Sequence, residues 1–263
     1  MTSPEFAPVF EPDGWECRSR IGLLVPDADV GPEAEWSAMT PPGMLFNVSR
    51  FHFPVRPVKV SGDKISMSSV DFVANPGPLE DAVRLLAPLK VEAVSLAFTS
   101  NSYVADDDVL VPRLSGIVGG RPVITTGHAF LAVVEHLQAK RVLLVDPPWF
   151  PQELTEMGRA WLVRKGVNVV RAEVSTLPSG QGNIHPGSMH RWLCETIRRE
   201  ADDIDLVLIG GNGFRAISAI RAVEEDTGVT VVSANSALMW QTLRVLGRDT
   251  RQIMRYGRLF QRV

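Results

Sequence analysis

Six short strings of small and polar residues are placed where chemistry could be done. They are Pro26-Asp27-Ala28-Asp29, Thr99-Ser100-Asn101-Ser102, Thr125-Thr126-Gly127-His128, Asp146-Pro147-Pro148-Trp149, Gly210-Gly211-Asn212-Gly213 and Ser233-Ala234-Asn235-Ser236. Each follows an apolar run, and several lead into a helical pattern. Hydroxyls, amides and glycine-exposed N–H groups at a helix start hold anionic oxygens. In any single loop the same residues serve equally as N-caps. Several such loops meeting at one sheet edge point instead to a pocket for a carboxylate or phosphate.

Two side chains in these strings are candidates for moving a proton. His128 opens a helix, where its charged form is disfavoured, so a neutral imidazole suits a general base or hydrogen-bond donor. Capping or packing is the plain alternative. Asp29 precedes Gly31 and Pro32, which suggests a tight turn into the pocket. Asp27 and Asp146 also follow strands, with exposed capping as the default. His52, His136 and His190 fall inside elements and read as structural; His185 lies in a loop long enough to be a lid. Cys194 sits mid-helix as a packing residue and Cys17 near the N-terminus, so a thiol mechanism has little support. No His/Cys/Asp/Glu spacing resembles a metal site, and no metal or cofactor is expected. Gly211-x-Gly213-x-x-Ala216 is formally a dinucleotide fingerprint, but no ribose-binding acid follows the next strand. An anion-holding turn fits better.

Eight apolar β-branched runs must position these strings: Ile21–Val25, Asn47–Phe53, Ala93–Phe98, Pro122–Thr125, Arg141–Val145, Val167–Arg171, Asp205–Ile209 and Val229–Val232. Helical patterns lie between them, including Leu79–Leu89, Ala129–Gln138, Gln152–Lys165, Met189–Arg199 and Phe214–Glu225. Continuous apolar strands are those buried on both faces of parallel sheets. Alternation with helices predicts an α/β fold with ligands outside the carboxyl ends of the strands.

The 263 residues are 45% hydrophobic, with a net charge of −3. That supports a large core and argues against general nucleic-acid binding. The arginines from Arg248 to Arg262 read as a solvated helix end or subunit contact. No segment approaches the roughly 20 apolar residues of a membrane span. The acidic, proline-bearing N-terminus lacks a signal pattern, and the two distant cysteines fit a reducing cytoplasm. A homo-oligomer is a general expectation for an enzyme of this size.

Taken in order, the strings resemble a known group. Arg20-IGLLVPDADVGPEAEW with the following Thr40-Pro41-Pro42-Gly43, then SLAFTSNSY, PVITTGHAF, RVLLVDPPW and VVSANSALMWQTLRVLG, are similar to maleate cis–trans isomerases and arylmalonate decarboxylases of the aspartate/glutamate racemase superfamily. The likeness runs from about Arg20 to Gly247. It implies two similar Rossmann-like subdomains with parallel sheets and a cofactor-free pocket between them. The expected division is an N-terminal arm over 1–19, a first subdomain over 20–120 plus 233–263, and a second over 121–232.

The family's chemistry uses one or two cysteines at strand ends, and this chain departs at both. Its Cys-Thr-Ser pattern reads Phe98-Thr99-Ser100, and its Ser-Cys-Thr-Asn or Ser-Cys-Gly-Gly pattern reads Gly210-Gly211-Asn212-Gly213. A tyrosine common after the RVxLVxP strand is replaced by Pro148-Trp149. The resemblance therefore implies an oxygen-holding site without the family thiols. The expected reaction is decarboxylation of a malonate-like acid through an enolate-like intermediate, with His128 or Asp29 moving the proton. Thr99, Ser100, Asn101, Gly211, Asn212 and Gly213 would hold oxygens, Ser233 and Asn235 would line the subdomain boundary, and Phe98 and Trp149 would line the pocket. The alternatives are a non-catalytic carboxylate-binding descendant and an isomerase with a replaced nucleophile.

Overall fold

The computed structural model describes residues 15, 17, 19–54, 64–199 and 204–261. The expected N-terminal arm lies almost wholly outside them. All eight expected strands form. They are β1 (Ser19–Pro26), β2 (Met44–Phe51), β3 (Ala93–Leu96), β4 (Val123–Thr125), β5 (Val142–Asp146), β6 (Val169–Val174), β7 (Leu206–Ile209) and β8 (Thr230–Ser233). They make two four-stranded parallel sheets in the orders β2-β1-β3-β4 and β6-β5-β7-β8. The second sheet thus repeats the first, with β5 standing where β1 stands.

Burial explains the apolar runs: the central strands β3, β5 and β7 are buried at every position, and so are β4 and β8, each at one edge of its sheet. The strands at the opposite edges, β2 and β6, are only partly covered and carry polar residues such as Asn47, Arg50, Arg171 and Glu173. Around the sheets lie α1 (Gly31–Met39), α2 (Met67–Ala74), α3 (Pro78–Leu86), α4 (Thr99–Val104), α5 (Asp107–Ile117), α6 (Thr126–Leu137), α7 (Gln152–Arg164), α8 (Pro186–Arg199), α9 (Ile217–Thr227) and α10 (Ala234–Val245).

Strand-to-helix turns here are set by short side chains. Thr125 caps α6 by accepting from the His128 amide at 3.1 Å. Ser233 caps α10 by accepting from the Ser236 amide at 3.2 Å, and Ser236 returns the bond to the Ser233 amide. Each cap satisfies N–H groups that the helix itself cannot. The two helices so started, α6 and α10, pack against each other along the seam between the sheets. One apolar core, including Trp36, Phe130, Leu208 and Trp240, runs through both halves.

The strand β4 falls beyond the expected boundary at residue 120, yet it hydrogen-bonds β3 and so completes the first sheet. The C-terminal segment meets both halves: α10 touches β3, β4 and β8, and the turns at 250–260 lie on α9 and β8. No helix among the described residues is long and apolar enough to cross a membrane.

Candidate active site

A cavity of about 320 Å³ opens at the carboxyl ends of both sheets. From the first half it is lined by the loop after β1 (Pro26, Ala28, Asp29, Val30), by Phe53 and Ile65, and by Ala97–Ser100 at the start of α4. The second half supplies Trp149 and Phe150 after β5, Ser179–Gln181 from the loop before α8, and Gly211–Gly213 after β7. Parallel strands with helical crossovers bring these loops to one edge, and the pseudo-repeat brings the two edges face to face.

One wall is aromatic. Phe98 packs edge-on against Phe51 and Phe53 at centroid distances of 5.3 and 5.2 Å. Trp149 packs edge-on against Phe214 at 5.8 Å. Phe98 and Trp149 both lie on the cavity wall.

The polar side is a stitch between the halves. The Asn212 Oδ1 accepts from the Thr99 amide at 2.9 Å, the Thr99 hydroxyl at 2.8 Å and the Thr126 hydroxyl at 3.2 Å. The Thr99 Oγ1 accepts in turn from the Gly211 amide at 3.1 Å. The Asn212 Nδ2 donates to Asn235 Oδ1 at 3.0 Å, and Asn235 Nδ2 donates to Glu35 Oε2 and Asn212 O, each at 2.8 Å. Glu35 Oε1 completes the network by accepting from the Ala216 and Ile217 amides. Burial raises the Glu35 carboxyl above its ordinary range, while the donors from Asn235, Ala216 and Ile217 hold it down.

This network changes the expected roles. The Thr99 hydroxyl and the Asn212 carboxamide both face the cavity edge, but their bonding capacity goes into joining the two strand ends. Asn235 supports Asn212 from behind, and Ser233 is a helix cap; neither lines the cavity. Asn101, fully buried in the same first turn of α4, does not line it either. What remains for a ligand is the Ser100 hydroxyl and the Asn212 and Gly213 amides, none of which donates to a described residue.

His128 is placed elsewhere. Its Nε2 lies 3.2 Å from Asp108 Oδ1, and Lys165 Nζ donates to the other oxygen of Asp108 at 2.8 Å. The Thr125 cap and the helical phase of α6 turn the imidazole away from the cavity, which it does not line. Asp29 does line it. The Asp29 Oδ1 accepts from Gln181 Nε2 at 2.6 Å, and Gln181 Oε1 accepts from the Val30 and Gly31 amides at 3.2 and 3.0 Å. Burial pushes the Asp29 carboxyl up to about 6, against the lowering effects of Gln181 and Arg50. Among the described lining residues it is the one titratable side chain, and none is Lys, Arg or His.

Neither cysteine lines the cavity. Cys194 is buried between α8 and α9, where burial raises its thiol. At the two positions where the family pattern carries cysteine stand Phe98 and Gly211. Gly211 has φ +74°, and a Cβ there would lie 2.6 Å from Pro147 Cγ. Both backbone and neighbour exclude a side chain at that strand end.

Sequence reading missed Gln181, Ser179 and Glu35. An acid three residues after the first-turn proline Pro32, next to buried Trp36, is the one trace Glu35 leaves in the sequence. Gln181 comes from a single 3-10 turn in the loop where only His185 stood out, and His185 is exposed.

The arylmalonate decarboxylase profile matches residues 21–260. Arylmalonate decarboxylase of Bordetella bronchiseptica is 37% identical over 193 residues, covering 68% of this chain and 75% of that one. Two solved structures share the fold. Maleate isomerase from Pseudomonas putida S16, solved with maleate, superposes with a TM-score of 0.79 at 21% identity, covering 93% of this chain and 98% of that one. A crystal structure of arylmalonate decarboxylase gives 0.72 at 22% identity, covering 92% and 99%. With the matched region spanning both sheets and every loop of the cavity, this chain belongs to the arylmalonate decarboxylase family.

Proposed function

We propose that this protein is a cofactor-independent lyase that decarboxylates a malonate-like acid without a cysteine, with Asp29 as the proton carrier. The observation that carries this reading is the isolation of Asp29: it is the one titratable side chain on the described cavity wall, with a carboxyl near 6. A general acid works best when its pKa is close to the operating pH.

The steps follow from the groups in place. One substrate carboxylate sits against the Ser100 hydroxyl and the Asn212 and Gly213 amides. The other faces the apolar wall of Phe98, Trp149 and Phe150, where a desolvated carboxylate is destabilised. Its C–C bond breaks, CO2 leaves, and the electron pair moves onto the retained carboxylate as an enediolate. Neutral donors aimed at that developing charge are each worth roughly 3–4 kcal/mol of barrier. Protonated Asp29 then delivers its proton to the carbanion carbon and is reprotonated from solvent. A single proton delivery closes the cycle, which suits a site with a single acid. Racemisation and thiol addition each need a further group that this wall lacks among the described residues.

The decisive measurement is product analysis after incubation with substituted malonates, maleate and unsaturated acids. A mono-acid formed with one CO2 per turnover is the expected result. Geometric isomers formed from maleate would replace this reading with an isomerase. Tight binding with no product at any pH would leave a carboxylate-binding descendant.

A further inference from the structure

We propose that His190, Cys194 and Asp226 form a binding site for a borderline-soft divalent cation of the zinc class, on the outer face of the second half and separate from the cavity. His190 and Cys194 are four residues apart on α8, so their side chains share one helix face. Asp226 reaches them from the last turn of α9, the helix packed alongside. One ligand atom from each of the three lies within 4.8 Å of the others.

The way these atoms converge separates a cation site from its two rivals. A thiol–imidazole–carboxylate relay needs the thiol on one ring nitrogen and the acid on the other. Here both face the same nitrogen: His190 Nε2 is 2.8 Å from Asp226 Oδ2 and 3.6 Å from Cys194 Sγ. No proton can pass through the ring in that arrangement. A plain surface ion pair accounts for His190 and Asp226, but it gives no reason for a buried sulfur aimed at the same nitrogen. Cys194 is only 3% exposed, with its Sγ turned toward the pair.

Two of the three ligand-atom distances fit with small movements, while the thiol and the carboxylate, within 4.8 Å of each other, must draw together on the metal. Zn–S of about 2.3 Å and Zn–N of about 2.0–2.1 Å at a tetrahedral angle place sulfur and nitrogen about 3.5 Å apart. The sulfur–nitrogen distance already matches. The imidazole and carboxylate must open by about half an ångström to reach the zinc value of roughly 3.3 Å. Both are partly exposed side chains, 33% and 51%, free to make that change. A thiolate, a carboxylate and a neutral imidazole carry a charge of −2, which a divalent cation neutralises. Water would take the fourth position. The thiol must lose its proton to become a ligand. Binding therefore releases protons and tightens as pH rises. The site would pin α8 to α9 and add to stability by mass action.

The test is titration of the chelator-treated full chain with zinc by native mass spectrometry, and with cobalt by absorption. One zinc per chain is expected, with a thiolate-to-cobalt band in the near ultraviolet and a rise in Tm. Cys194→Ser should remove the band and weaken zinc binding by at least tenfold, and Asp226→Asn should weaken it by at least severalfold. The proposal is overturned if the wild-type chain takes up no stoichiometric zinc. It is equally overturned if Cys194→Ser and Asp226→Asn, each with a normal circular-dichroism spectrum, bind zinc as the wild type does.

Discussion

The strands β1 and β5 hold the same place in the two sheets, and a carboxyl follows or ends each one. Asp29 lies three residues past the end of β1; Asp146 is the last residue of β5. Asp29 is half-buried, on the cavity wall, with one oxygen held by Gln181. Asp146 is fully buried under Gly210, where the Tyr103 hydroxyl donates to its Oδ1 at 3.1 Å. Burial pushes its carboxyl up to about 7, against the lowering effect of Thr155 and Tyr103. Two carboxyls with similarly raised pKa values therefore stand at equivalent strand ends, and only one can meet a substrate. Access, rather than the size of the shift, separates a candidate catalyst from a fold-holding group.

The largest expected effect breaks the pair apart. Asp29→Asn should lower kcat by about 10²–10⁴-fold, the range for losing a positioned acid, with the folded state kept. Asp146→Asn, which preserves an acceptor for Tyr103, should change kcat by no more than a few-fold. Equal losses in both, measured on the substrate identified by product analysis, would end the distinction.

A second effect is on stability and is read at Asp146. Its folded value lies above its unfolded value, near 3.8. Below about pH 4 the carboxyl is neutral in both states and its contribution to stability is fully present. That contribution is lost as pH rises toward 7, at up to about 1.4 kcal/mol per pH unit. Denaturant unfolding of the wild type should show this slope, and Asp146→Asn should flatten it.

The smallest effect sharpens the role of Asp29. As an acid it works protonated, so kcat/KM should fall as pH rises through about 6. Gln181→Ala removes the donor that holds this carboxyl down, so the same limb should move to higher pH, with kcat at its plateau changed less than tenfold. An unmoved limb would show that the limb belongs to another group.

Much of this was legible beforehand. All eight strands were readable because buried parallel strands are continuous β-branched runs, and the strand-end loops were readable because those runs stop abruptly. Roles within the loops were not. Thr99 and Asn212 have the chemistry of ligand donors, but each finds the other across 113 residues of chain and spends its bonds there. His128 has the chemistry of a base, but the phase of α6 and the position of Asp108 take it out of the cavity. His190, Cys194 and Asp226 share no sequence spacing as a triad, because the third comes from a neighbouring helix.

The chain's local order thus determined the two parallel sheets, the edge where the cavity opens and the absence of cysteine from its strand ends. Periodicity, β-branching and residue identity are properties of single segments, and they carry that information without a fold. Tertiary structure alone decided which polar groups face the cavity and which face each other. A hydroxyl or amide satisfied by a partner more than a hundred residues away is indistinguishable, along the chain, from one left open for substrate.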